Sequence, residues 1–118
     1  MNKKVYLACP YSSFSKNIFL DRFIKWRRFR KVSKKAGELM DQGYIVFSPL
    51  SHSHPIQKLR KEVDAWKFWK RQDFSFILWC DEFHILCLEG WEYSKGIRDE
   101  LAFAKLLKKK IVYHYVQE

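Results

Sequence analysis

Cysteine is scarce in this chain. Cys9, Cys80 and Cys87 make an odd count, no two stand in a Cys-x-x-Cys spacing, and their neighbours are mostly apolar. That pattern speaks against a disulfide framework and a zinc site, and it predicts buried thiols in a reducing cytosol. Long hydrophobic runs are missing too. No stretch approaches the roughly 20 apolar residues of a membrane span, and no signal-like segment opens the sequence. A soluble, cytoplasmic protein with no membrane partner is expected. Internal repeats, low-complexity tracts and linkers are also lacking, so one domain over residues 1–118 suffices. Acids are few: 13 Asp and Glu against 23 Lys and Arg, a net charge of +10. Such an excess either favours anionic partners (phosphates, nucleotides, nucleic acid) or forms a solvated face that keeps a small protein soluble.

What the chain does have is ring surface. Aromatics are 18% of its 118 residues, with ten Phe and five Trp. They can fill a dense core, line a pocket or build an oligomer face. Lys4–Ala8 reads as a short buried strand that Pro10 ends, followed by a loop over Cys9–Ser13. Ser15 is placed to cap a long helix to about Gln42, with Gly43 as its stop. On that helix Phe29, Val32, Ala36, Leu39 and Met40 share one side, while Arg27, Arg28, Lys31, Lys34 and Lys35 gather broadly opposite. Phe19, Phe23 and Trp26 lie off the apolar stripe, so the first half of the helix bends or packs on something else, such as a second copy of the chain.

Tyr44–Phe47 reads as a second strand and Ser48–Pro55, with two prolines and no period, as a loop. A helix over about Val63–Cys80, a strand over Glu82–Leu88, a helix over Gly96–Lys109 and a strand over Ile111–Tyr115 complete the pattern. Alternating strands and helices predict an α/β fold with a mainly parallel sheet. Ligands of such sheets bind beyond the carboxyl ends of the strands. Attention therefore falls on Cys9–Ser13, Ser48–Pro55 and Glu89–Gly96.

In the last of these segments, Ser94-x-Gly96 at a helix start offers a hydroxyl, open backbone N–H groups and the positive end of the dipole, which suit a phosphate. The plainer reading is an N-cap. Glu100, six residues on, either faces a sugar whose phosphate sits on the helix end or merely complements the dipole. Asp73 interrupts the aromatic run Trp66–Trp79. It is either a half-buried acid with a raised pKa, suited to proton transfer, or the partner of Lys70 in a surface ion pair. His52 and His54 flank one residue in the expected loop. Their rings would point opposite ways there, and His84 and His114 lack ligand-like spacing, so substrate contact or a structural role is expected rather than a metal. Neither a metal nor a cofactor is expected.

Together, Tyr6-Leu-Ala-Cys-Pro-Tyr11, Gly43-Tyr-Ile-Val-Phe-Ser-Pro49, Asp73, Asp81 and Ser94-x-Gly-x-x-x-Glu100 resemble the nucleoside 2-deoxyribosyltransferase superfamily over nearly the whole chain. The likeness is to small bacterial and phage members of unassigned function, in a superfamily that includes 2′-deoxynucleoside 5′-monophosphate N-hydrolases. The resemblance implies a single-domain, Rossmann-like three-layer sandwich and, commonly, a homodimer. It implies that Glu100 attacks or stabilises the anomeric carbon, that Asp73 handles the leaving base, and that Tyr6 borders the pocket. Ser94, Gly96, Asp81, Pro10, Tyr11, His52 and His54 are the expected substrate-binding residues. Ser94 stands where the hydrolases contact phosphate, which tilts the expected substrate toward a nucleoside 5′-monophosphate. Two features depart from the family pattern: Cys9-Pro10 replaces a glycine-containing loop, and the segment between Asp81 and Ser94 is longer and carries Trp91. A non-catalytic nucleotide-binding module and a basic nucleic-acid-binding protein are the competing functions.

Overall fold

Successive side chains along each strand point to opposite faces, and that splits the protein into two cores on either side of one sheet. The computed structural model describes residues 2–12, 15–60 and 65–116. In chain order they form β1 (Lys4–Ala8), α1 (Ile18–Asp41), β2 (Ile45–Phe47), α2 (Pro49–Arg60), α3 (Ala65–Trp79), β3 (Glu82–Cys87), a 3-10 turn (Trp91–Tyr93), α4 (Lys95–Leu106) and β4 (Lys110–Tyr115). The expected Ser13 end of the first loop and the Val63 start of the third helix lie outside the described residues.

All strand pairs are parallel, in the order β2-β1-β3-β4. Val5 and Leu7 of β1, with Leu86 and Leu88 from β3 and just past it, pack against Val32, Ala36 and Leu39 of α1 and Leu50 of α2. On the other face Tyr6, Ala8, Phe83, Ile85 and Cys87 pack against Ile77 of α3, Cys80 just beyond it, and Ile97 and Ala104 of α4. The result is a Rossmann-like three-layer α/β/α sandwich. β3 is buried along its whole length, as expected of a central parallel strand covered on both faces.

Local chemistry explains most element ends. Asn17, not Ser15, caps α1: its side chain accepts from the N–H groups of Phe19 and Leu20 at 2.9 and 3.2 Å. Ser15 Oγ instead accepts from the Asn17 N–H at 3.1 Å. Gly43, at a φ of 100°, turns the chain out of the helix as expected. The Ser48–Pro55 segment is not a loop but the first half of α2. Ser48 Oγ accepts from the Ser51 N–H at 3.4 Å, and Pro49 takes the first helical position, where it has no N–H to lose. Leu50 and His54, one turn apart, are both buried, so a histidine supplies half of an apolar stripe that contains no second aliphatic. Cys80 and Cys87 are buried thiols, whereas Cys9 is only half-buried. Among the described residues, no helix is long and apolar enough to cross a membrane.

Candidate active site

The chain leaves β1 toward β2 on one side and returns to β3 on the other. The switch point of the sheet, beyond which ligands of such folds bind, therefore falls between the loops that follow β1 and β3. Three side chains distant in sequence meet on the α3/α4 face of these strands. Tyr6, in the middle of β1, is fully buried and stacked on Phe83, with ring centroids 5.3 Å apart. Its hydroxyl donates to Glu100 Oε2 at 2.8 Å. Glu100 projects from α4 on the buried face that also carries Ile97 and Ala104. Asp73, from α3, lies close enough to Glu100 that the two carboxyls perturb each other. Its Oδ1 is buried with no partner among the described residues. The side chain thus faces a second carboxyl, and Lys70 stands over the Phe74 ring instead.

Burial dominates the electrostatics of this trio. It pushes Asp73 up to about 7, against a smaller downward pull from the Glu100 side chain. Glu100 is pushed well above the ordinary carboxylate range by burial and then by the Asp73 charge, and the Tyr6 hydrogen bond offsets this only in part. The Tyr6 hydroxyl is driven up by burial and by the two acids. Two carboxyls this close in a dry setting hold one proton between them near neutral pH, which leaves one acid and one base in contact.

The loops that follow β1 and β3 are joined at one point. Arg28 of α1 donates from one nitrogen to the Ser12 and Tyr11 carbonyls, at 2.7 and 3.4 Å. From its other terminal nitrogen it donates to the Glu89 carbonyl at 2.8 Å. It thereby joins the loop after β1 to the loop after β3. The helical pattern sets Arg28 with the basic side of α1. The available signal was angular: Arg28 falls only about 20° from Leu39 on a helical projection, at the edge of the core stripe. Gly90, at a φ of 84°, lets the second loop pass beside it, with an added Cβ only 4.0 Å from the guanidinium. Pro10 is buried at the end of β1.

The remaining expected residues divide. Ser94 caps α4, its Oγ accepting from the Ile97 N–H at 3.3 Å, and Gly96 lies one turn before Glu100 on the same face. Tyr11 and His54 meet at 2.7 Å, and His54 also stacks on Phe29 at 4.7 Å. His52, exposed two residues earlier on α2, packs on Phe47, which lies against Tyr6 and is stacked on Phe76. Asp81 is not brought to the carboxyl pair. It stands exposed before β3, where its carboxylate accepts from the Lys4 N–H at 2.9 Å and its own N–H donates to the Lys4 carbonyl at 2.7 Å. It fastens β1 to β3 at the amino end of the sheet.

One cluster escaped the sequence altogether. On the α1 face, His84 bonds Glu82 at 2.9 Å and His114 at 2.8 Å, because β3 and β4 align in register with these positions on one face. Burial, His84 and Lys35 hold His114 down to about 4. Among the described residues, no group of three or more His, Cys, Asp or Glu is arranged to hold a metal ion.

This architecture defines a class, the Rossmann-like α/β proteins. The chain belongs to the family described as Domain of unknown function (DUF1937), whose model matches residues 3–116. Among solved structures it is similar to a 2-deoxyribosyltransferase from the psychrotolerant bacterium Bacillus psychrosaccharolyticus, described as a biocatalyst for the synthesis of antiviral and antitumoral nucleosides. The TM-score is 0.64 at 23% identity, over 95% of this chain and 72% of that one. A likeness at this identity establishes a shared fold. No curated protein matches the chain.

Proposed function

We propose that the protein cleaves the N-glycosidic bond of a nucleoside 5′-monophosphate of the deoxy series, by hydrolysis or by transfer to a second base, without a cofactor. The observation that carries this reading is the buried assembly of Tyr6, Glu100 and Asp73. Breaking the bond from C1′ to the base nitrogen leaves an electron pair on the base and positive charge on the sugar. A carboxylate must face the sugar and a proton must reach the base. The pair holds one proton for that purpose. As charge develops at C1′, Glu100 is favoured as the anion, and its proton passes to Asp73 and on to the base. Glu100 then stabilises or bonds C1′ until water or a second base takes the sugar.

The phosphate is assigned to the start of α4, at Ser94 and Gly96. Glu100 follows Ser94 by six residues, roughly 9 Å along a helix, the order of separation between a 5′ phosphate and the far side of a sugar. Pro10 and Tyr11 border the switch point, with His54 behind Tyr11, and His52 and Phe47 flank the trio from the β2 side. The likeness to a 2-deoxyribosyltransferase supports the same chemistry, and a free nucleotide substrate suits a cytoplasmic enzyme.

The test is chromatographic detection of free base from each deoxynucleoside monophosphate, with and without an acceptor base. Wild type should release base. Glu100→Gln should lose at least about a hundredfold in rate with its fold intact, and Ser94→Ala should weaken monophosphate binding more than nucleoside binding. Base release at the wild-type rate by Glu100→Gln, or none from any substrate by wild type, sinks the proposal.

A further inference from the structure

α1 carries a second feature that the candidate active site does not use. Its core side is Val32, Ala36 and Leu39. On the opposite side Phe19, Phe23 and Trp26 are 77%, 51% and 46% exposed. At 100° per residue these three rings and Arg30 fall within an arc of about 60°, with Arg27 just outside it. The rings and cations are interleaved. The Phe23 and Trp26 centroids are 6.2 Å apart, Arg27 stands over Phe23 at 5.8 Å, and Arg30 over Trp26 at 5.2 Å.

Charge selects the occupant of this stripe. Residues 15–36 hold nine Lys and Arg and one acid, Asp21, and Asp21 already bridges Lys25 at 3.2 Å. Two copies overlapping along the rings would set arginine against arginine, because the further acids of α1, Glu38 and Asp41, lie about two turns or more beyond Arg30, so the homodimer expected here is disfavoured. A bilayer is a poor fit as well. Interfacial helices separate an apolar face from a charged one, whereas Arg30 lies in line with the rings and would be driven among the acyl chains. Rings alternating with cations do match one class of anionic polymer, a strand that alternates bases with phosphates. Stacking on such rings requires unpaired bases.

We infer that the outward stripe of the N-terminal half of α1 is a docking surface for single-stranded nucleic acid, bound without sequence preference through stacking on Phe23 and Trp26 and phosphate contacts from Arg27 and Arg30. This surface is independent of the carboxyl pair and of any reaction there.

The probe is a short fluorescein-labelled oligothymidylate, followed by anisotropy with the full chain across a salt series. Binding should weaken with salt. Phe23→Ala with Trp26→Ala should cost roughly tenfold or more in affinity, and Arg27→Gln with Arg30→Gln should reduce both affinity and salt dependence. All four side chains face solvent, so circular dichroism should be unchanged, and the arginine pair serves as the test if the aromatic pair fails to fold. Wild-type affinity in both double variants overturns the inference. So does a wild-type dimer in sedimentation that the aromatic variant dissociates while no oligonucleotide binds, and so does binding to phosphatidylserine vesicles but not to the oligonucleotide.

Discussion

Tyr6 is the residue on which the trio turns. Its ring is held by Phe83 and Phe47, so Tyr6→Phe keeps the packing and deletes only the hydroxyl. The hydrogen bond it donates lowers Glu100 against burial and the Asp73 charge, and its loss should push Glu100 higher still. Under the proposed chemistry, Tyr6→Phe should cut turnover by about tenfold, the worth of one hydrogen bond to a charged group, and move the alkaline fall of the pH–rate profile, where the shared proton is lost, upward. An unmoved profile would show that Tyr6 only fills space. Tyr6, Asp73 and Glu100 were each singled out in the sequence, but for different reasons. The hydrogen bond joining two residues 94 positions apart was not visible there.

At the scale of elements, loops and helices depend on one another through Arg28. The clamp uses three carbonyls from two loops, and two of these contacts face solvent. Arg28→Met should therefore cost only about 1–2 kcal/mol in urea unfolding, with faster hydrogen exchange at residues 9–12 and 88–93. Arg28→Lys should recover little of it, since a single ammonium cannot span both loops as a planar guanidinium does. Unchanged exchange in either variant would mean that the loops hold themselves. α2 carries the opposite lesson. Its prolines read as breakers, yet Pro49 begins a helix, and the helix persists because Leu50 and His54 reach the α1 side of the sheet. Packing outweighed local propensity, as it does wherever a short segment has a core to lie on.

Across the whole molecule, two titrations on opposite faces of the sheet act in opposite directions. Asp73 rises from 3.8 to about 7 on folding, so the folded chain keeps a proton that the unfolded chain has released. Its contribution to stability is complete below about pH 4 and is lost as pH rises through 7. His114 falls from 6.5 to about 4. Its contribution is complete above pH 6.5 and is lost as pH falls toward 4. A full proton difference is worth about 1.4 kcal/mol per pH unit, and solvent screening cuts the share of half-buried His114 to roughly half or less. Urea midpoints measured from pH 4 to pH 7 should rise more steeply with pH in Asp73→Asn than in wild type, and fall more steeply in His114→Asn. Parallel profiles for all three proteins would remove both residues from the balance.

The strand-helix alternation, the Gly43 stop of α1 and the parallel sheet were legible in the residues themselves, whereas the Asn17 cap and the helix over Pro49–Arg60 were not. The legible features follow from periods of 2 and 3.6 and from the conformational limits of Gly and Pro, all of which act within a few positions. The tertiary structure alone decided which acids lie together, that Asp81 fastens β1 to β3, that Arg28 joins two loops, and that His84 meets His114. Those outcomes depend on strand order and register. Register brings together residues tens of positions apart, and no local pattern encodes which side chain will find another across a sheet.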